Sequence, residues 1–324
     1  MQKRVAHRAR AAIALGFVAP LLLLIVSCAA PMPHRAAPPP PPPAAASPLP
    51  EASIPVNRVV TLSMPSGHRF AIVHHPVDTP EEAPLVVVLH GAYGSAQQAR
   101  SSYGWDALAD RNGFVVAYPN GAGPFWNAGD CCGTAHTMAV DDVEFLHELE
   151  DQLQQRDDID PRRVYAVGMS NGAMMAYAWA CGRPDDLAGI GPVAGALVAP
   201  CTPAPSVTVV AIHGTNDRNV PIDGGPGPQS VTHFRYPTLA ASLAAFVAAD
   251  GCDPTPVIAH RPSVQVSTWS CTGDRNVTLA LVQGLGHEWP GARPLSRQRL
   301  VRQAPAALDA TSFLWTNLRT SVLG

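Results

Sequence analysis

Five residues, Gly168-Met169-Ser170-Asn171-Gly172, stand between the apolar run Val164-Tyr165-Ala166-Val167 and a segment of helical character over residues 171–180. A chain that passes from strand to helix in so few residues must turn sharply. A Cβ at Gly168 or Gly172 would then meet neighbouring backbone, and the serine at the apex is held strained with its hydroxyl exposed. Such a turn ends a strand inside a sheet that the following helix covers. The pentapeptide therefore asks for an α/β fold and for further strands of the same kind.

Those strands are legible. Leu85-Val86-Val87-Val88-Leu89 is a continuous apolar run bounded by Pro84 and Gly91, as expected of a parallel strand buried on both faces. Residues 114–118, 189–193, 207–212 and 277–282 read as further strands. Helices are expected over 105–111, 141–155, 239–248 and 306–318. Asp141 with Glu144 three residues later resembles a capping box, so these acids read as a helix start rather than as catalytic groups. Residues 59–62 and 70–73 flank Pro65-Ser66-Gly67 as a hairpin. Strands alternating with helices imply a mostly parallel sheet with helices on both faces. No break in composition divides residues 56–324, which are read as one domain.

A serine hydroxyl is a poor nucleophile and needs a base. On this kind of fold the acid and the histidine follow the serine in chain order, each after a strand. The strand 207–212 runs into His213-Gly214-Thr215-Asn216-Asp217, and the strand 277–282 runs into Gly284-Leu285-Gly286-His287-Glu288-Trp289-Pro290. Asp217 would orient His287, and His287 would take the proton of Ser170. Asp223 follows the same strand as Asp217 but beyond Pro221. His233 and His260 end no apolar strand in a glycine loop. The developing oxyanion needs two donors. The N–H of Asn171 is one. The other comes from the segment Gly91 to Tyr93 after the first buried strand, and Ala92 is taken for it.

Charge narrows the function. The whole chain carries 22 basic and 25 acidic residues, a formal −3. Residues 1–27 hold Lys3, Arg4, Arg8 and Arg10 and no acid, so the remainder has 18 basic against 25 acidic residues, or −7. That balance argues against nucleic acid as a partner. Lys3 is the only lysine, which excludes a Schiff-base, P-loop or kinase lysine from a mature chain.

The same first 27 residues read as an export signal, with a basic start and an apolar run from Ala11 to Val26. The run ends Ile25-Val26-Ser27-Cys28, which looks like a bacterial lipoprotein signal with Cys28 lipidated. A membrane is then a partner only through that anchor. Residues 28–55 form a linker, with ten prolines over residues 31–50 that favour extended polyproline II. Of seven cysteines, six remain once Cys28 carries lipid, enough for three bridges in an oxidising compartment. Cys252 and Cys271 flank a short segment and a strand and are paired. The other four would give Cys181 with Cys201 and a vicinal Cys131–Cys132 bridge, though spacing alone leaves the connectivity open.

Several short motifs stand in one order: Leu89-His90-Gly91, Tyr118-Pro119-Asn120-Gly121, Trp126-Asn127 with Cys131-Cys132-Gly133, Val140-Asp141-Asp142-Val143, Gly168 to Gly172, His213 to Asp217 with Val220-Pro221, and Gly286-His287-Glu288-Trp289-Pro290-Gly291. In these the chain from about residue 58 to 320 resembles the secreted esterases of the polyhydroxybutyrate depolymerase and feruloyl esterase family, including bacterial lipoprotein members. The resemblance implies an α/β-hydrolase fold without a large lid and the triad Ser170, Asp217, His287. It also implies ester cleavage with no metal and no cofactor, on a small-molecule or polymer ester, by an exported, cell-envelope or secreted protein. A monomer is expected. Trp126, Trp289 and Tyr93 are expected to wall the site, where flat apolar faces suit an aromatic acyl group or a sugar ring. That expectation ranks a neutral phenolic or plant-polysaccharide ester ahead of a hydroxyalkanoate oligomer. A serine peptidase on the same fold and a non-catalytic envelope lipoprotein are the alternatives.

Overall fold

The computed structural model describes residues 56–232, 234–273, 275–293 and 307–324. The export signal, Cys28 and the proline-rich linker lie outside the described residues, as does His233. In chain order the elements are β1 (Val56–Met64), β2 (Gly67–His75), β3 (Ala83–Leu89), α1 (Ala96–Tyr103), α2 (Trp105–Asn112), β4 (Val115–Pro119), α3 (Gly133–Thr137), α4 (Asp142–Asp157), β5 (Ile159–Met169) and α5 (Asn171–Gly182). There follow β6 (Gly189–Val193), β7 (Thr208–Gly214), the two-residue pair β8 (Gly225–Pro226) and β9 (Arg235–Tyr236), α6 (Leu239–Ala249), β10 (Val257–Arg261), β11 (Val264–Ser270), β12 (Asn276–Val282) and α7 (Ala310–Leu318).

Ten strands form one sheet in the order β1-β2-β4-β3-β5-β6-β7-β12-β11-β10. The six central strands from β4 to β12 run parallel, and antiparallel hairpins close both edges. Strand alternation divides the core into two layers. Leu85, Val87 and Leu89 of β3 face one side with Phe145, Leu146 and Leu149 of α4, Met174 to Ala180 of α5 and Phe246 of α6. Val86 and Val88 face the other, with Trp105 and Leu108 of α2 and Leu314 and Trp315 of α7. Every residue of β3, β4, β6 and β7 is buried, which accounts for their continuous apolar runs.

The differences from expectation have physical reasons. Helix α1 is an addition to the expected elements: Ala96, Ala99, Ser102 and Tyr103 bury only small or polar-tipped groups, which leaves no apolar stripe in the sequence. The last helix starts at Ala310, not within 306–309, because Asp309 caps it by accepting the Ser312 N–H at 2.8 Å. Residue 306 lies outside the described residues. The segment between Cys252 and Cys271 holds two strands rather than one. Of these, β10 is exposed at every residue and shows no buried face to read. Disulfides join Cys131 to Cys132, Cys181 to Cys201 and Cys252 to Cys271. Among the described residues no helix is long and apolar enough to cross a membrane.

Candidate active site

The turn between β5 and α5 places Ser170 at φ 55°, ψ −118°, a positive φ that a non-glycine residue adopts only under constraint. Its neighbours supply the constraint. A Cβ on Gly168 would come within 2.5 Å of the Gly172 carbonyl group, and one on Gly172 would run into the Leu89 and His90 carbonyls. The β5–α5 turn can thus lie directly against the end of β3.

Three strands deliver three side chains to the same end of the sheet. Ser170 follows β5, Asp217 follows β7 and His287 follows β12. Strands β7 and β12 are paired to their ends, with Val282 opposite Gly214. At Gly214 a Cβ would collide with the backbone of Leu285 and Gly286, so a bare backbone there lets the histidine loop fold over β7. Ser170 Oγ lies 2.8 Å from His287 Nε2, and His287 Nδ1 lies 2.8 Å from Asp217 Oδ2. The Nδ1–H donates to the carboxylate, which leaves the Nε2 lone pair for the serine proton.

Asp217 is held as an anion. Burial works to raise its carboxyl pKa, but hydrogen bonding from His213 and His287, the charge of His287 and the Val220 N–H outweigh it and hold the group well below the carboxylate range. Oδ1 accepts the N–H groups of Asn219 at 2.8 Å and Val220 at 2.9 Å. His213 Nε2 donates mainly to Val220 O at 2.8 Å and stands 3.4 Å from Asp217 Oδ2. Asp223, the other candidate acid, is exposed. His260 lies on the edge strand β10.

Two backbone N–H groups are unclaimed beside the serine. The Tyr93 N–H donates to Pro124 O and the Gly94 N–H to Gly91 O. The Ala92 N–H has no acceptor among the described residues, and neither has the Asn171 N–H at the start of α5. The Asn171 side chain is locked by two bonds to the Trp126 backbone, accepting its N–H at 2.7 Å and donating to its carbonyl at 3.0 Å. The loop that carries Ala92 is tied by His90, whose Nδ1 lies 2.9 Å from Gly91 O and whose Nε2 accepts the Gly121 N–H at 3.0 Å. Burial, with Arg69 nearby, depresses the His90 pKa against the Gly91 hydrogen bond, which works the other way. The ring is therefore neutral, as an acceptor of an N–H must be.

A cavity of about 130 Å³ opens over Ser170 and His287. Ala92, Tyr93 and Asn171 line it, together with Cys132, Met174, Asn219, Val220, Ser230, Thr232 and Tyr236. A larger groove of about 890 Å³, between the β1–β2 hairpin and residues 134–144, holds none of the three triad side chains. Tyr93 is 67% exposed at the rim and meets Phe125 edge to face.

Two expected wall residues lie elsewhere. Trp126 is fully buried, and its Nε1–H donates to His90 O at 3.0 Å. It links the Ser170 turn to the Ala92 loop and offers no face to a ligand. Behind it the Asn127 N–H donates to Asp142 Oδ2, and Arg69 Nη2 donates to Asp142 Oδ1. Burial pushes the Asp142 carboxyl up despite that guanidinium. Trp289 is 3% exposed and packs in the layer beneath the sheet, where its Nε1–H donates to Thr311 Oγ1 at 3.1 Å. The bulk that suggested a wall is used to fasten loops to the core. The pocket residues from Asn219 to Tyr236 were missed, because they lie in an irregular stretch after β7 with no periodicity to expose them.

Comparison with known proteins gives the context. A family model described as esterase PHB depolymerase matches residues 68–246, which include Ser170 and Asp217. NocK of Nocardia uniformis subsp. tsuyamanensis, named as an esterase, is 31% identical over 290 residues, covering 82% of this chain and 84% of its own. Poly(3-hydroxyalkanoate) depolymerase C of Paucimonas lemoignei is 35% identical over 137 residues, 40% of this chain and 32% of its own. Feruloyl esterase B of Piromyces equi is 29% identical over 218 residues, 63% of this chain and 39% of its own. The chain therefore spans about a third of the length of these last two relatives. Among solved structures, an acetyl xylan esterase from Aspergillus awamori superposes with a TM-score of 0.54 at 14% identity, covering 79% of this chain and 99% of that one, a likeness of α/β-hydrolase fold. The matched model and the NocK alignment run through the strands that carry Ser170 and Asp217, and the chain belongs to the esterase PHB depolymerase family.

Proposed function

We propose that the protein is a serine carboxylic-ester hydrolase working through Ser170, His287 and Asp217. The observation that carries this reading is the unbroken line of hydrogen bonds from Ser170 Oγ through His287 to Asp217 beside two unclaimed N–H groups. Ser170 Oγ gives its proton to His287 Nε2 and attacks the ester carbonyl carbon. The N–H groups of Ala92 and Asn171 receive the oxyanion. Asp217 stabilises the imidazolium, which then protonates the departing alkoxide and leaves an acyl-serine. Water, deprotonated by His287, releases the acid.

The cavity supports a compact, neutral acyl group. Neither Lys nor Arg lines it. Its volume of about 130 Å³ is close to the roughly 150 Å³ cavity that takes up a benzene molecule, and a feruloyl group is much larger than benzene. With Trp126 and Trp289 buried, the preference moves to short-chain acyl or hydroxyalkanoate esters ahead of phenolic ones. Export with a lipid at Cys28 completes the reading.

Turnover of p-nitrophenyl acetate, abolished by serine-directed phosphonylation and in Ser170→Ala, tests the activity. Unchanged turnover in that variant would overturn it, and cleavage of a dipeptide anilide in preference to the ester would make the protein a peptidase. Release of the full-length protein from membranes by Cys28→Ser tests the anchor. Equal fractionation of both forms as soluble protein would remove it.

A further inference from the structure

The two unclaimed N–H groups beside Ser170 sit on different loops, and one buried ion pair stands behind both. Arg69 of β2 and Asp142 at the start of α4 are joined by a 2.6 Å bond from Nη2 to Oδ1, and they are 5% and 1% exposed. A charge pair so deeply buried is costly to desolvate, and apolar side chains of similar volume often serve a fold as well or better. The remaining bonds of the two residues show what this pair does besides filling space.

One arm starts from Arg69. The same Nη2 donates to Asn120 O at 3.1 Å. The next residue, Gly121, donates its N–H to His90 Nε2, and the His90 Nδ1–H donates to Gly91 O, one residue before Ala92. The other arm starts from Asp142, whose Oδ2 accepts the Asn127 N–H at 2.7 Å. Trp126, the preceding residue, exchanges two bonds with the Asn171 side chain. The Trp126 indole closes the ring by donating to His90 O. Apart from a bridge between Ala122 and Phe125, residues 120–127 belong to no helix or strand. The ion pair grips both ends of that irregular segment, Asn120 through the guanidinium and Asn127 through the carboxylate.

We propose that Arg69 and Asp142 are positioning residues, which set the spacing of the Ala92 and Asn171 N–H groups by clamping segment 120–127 at its two ends. This deepens the esterase reading and rests on it. Neither residue lines the cavity over Ser170, so neither touches the reacting atoms. Their effect passes through donors that work only when aimed at the place the oxyanion will occupy. The oxyanion exists only in the transition state and the tetrahedral intermediate. A slack clamp therefore weakens kcat and spares substrate binding.

The test measures p-nitrophenyl acetate turnover per active serine, counted by end-point phosphonylation. Asp142→Asn keeps the volume but loses the charge and one acceptor. It is expected to lower kcat by about 10- to 100-fold, less than outright deletion of an oxyanion donor. Acylation and deacylation both pass through the oxyanion, so KM should stay within about twofold. A trifluoromethyl ketone gives the second readout. Ser170 Oγ adds to its carbonyl carbon, the serine proton passes to His287, and the carbonyl oxygen becomes the oxyanion. Its Ki should rise by the same factor as kcat falls.

The double variant Arg69→Met with Asp142→Leu separates positioning from folding. It leaves no lone buried charge, so its urea midpoint should lie near that of the wild type, yet its kcat should be as low as in Asp142→Asn. Arg69→Lys keeps a charge for Asp142 but replaces the fork by a single ammonium. It should give an intermediate loss of kcat with KM held, and it carries the test where the other variants fail to fold. Wild-type kcat and Ki in the double variant, or a fall in kcat with an unchanged ketone Ki, would overturn the positioning role and leave the esterase intact. No turnover by the wild type, or turnover surviving Ser170→Ala, would overturn the esterase reading itself.

Discussion

Trp289 stacks on Tyr103 with ring centroids 4.3 Å apart and planes 8° from parallel. Thr311 Oγ1 completes the joint by accepting from the Trp289 indole and donating to the Tyr103 carbonyl oxygen. Tyr103 Oη in turn points at Met169 Sδ, 3.7 Å away and one residue before Ser170. The loop of His287 and the strand that leads into Ser170 thus share one aromatic clasp.

Trp289→Ala should cost stability rather than selectivity. Truncating a buried tryptophan typically loses about 3–5 kcal/mol. Urea unfolding is the measurement. Per folded molecule, the ratio of kcat/KM on feruloyl and acetyl esters should stay as in wild type. A selective loss on the feruloyl ester would restore Trp289 to the pocket wall.

Ser170→Ala and Asp217→Asn should separate chemistry from folding. The first is expected to lower kcat by about six orders of magnitude by removing the proposed nucleophile, the second by about four by releasing the imidazole tautomer. Circular dichroism should remain that of the wild type. Because Asp217 is held well below the carboxylate range, it stays ionised throughout the neutral region and adds no activity limb there.

Glu150 should make the protein more stable in acid than in mild base. Burial first, then Asp186 and Asp151, raise its carboxyl from 4.5 to about 8. The folded state keeps a proton that the unfolded chain loses, so the contribution is complete below about 4.5 and is lost as pH rises to about 8. Glu150→Gln should therefore stabilise at pH 8, on the order of 2–4 kcal/mol, and change little at pH 4.5. An equal effect at both pH values would refute the assignment.

His90 should impose the opposite slope. Its folded pKa is lowered from 6.5, chiefly by burial, so the unfolded chain binds the extra proton. Its contribution is complete above about 6.5 and is lost as pH falls through the folded value. In the Glu150→Gln background, the urea midpoint should drop between pH 7 and 5, and His90→Asn should flatten that drop. An unchanged slope would mean that another group titrates.

What was legible in the chain follows from where physics leaves a pattern. Ser170, Asp217 and His287 stand just past apolar runs, and a parallel sheet brings such strand ends together. Asn171, next after the serine, was legible for the same reason, whereas the sequence narrowed the other donor only to the segment Gly91 to Tyr93 after β3. Burial of Trp126 and Trp289 was not, because an aromatic flanked by glycine and proline reads alike at a rim and in a core. Nor was the presence of Ser230, Thr232 and Tyr236 in the cavity, because their loop has no period to expose them.

The spread of the site along the chain has a kinetic meaning. Ala92, Ser170, Asp217 and His287 come from four strands, and the last of these joins the sheet only when β12 pairs with β7. Such distant pairings are the slow steps of folding, since loop closure must precede their reward. A chain ending before residue 287 would carry Ser170 without its hydrogen-bond partner His287. The proposed hydrolysis therefore waits on the pairing of β12 with β7.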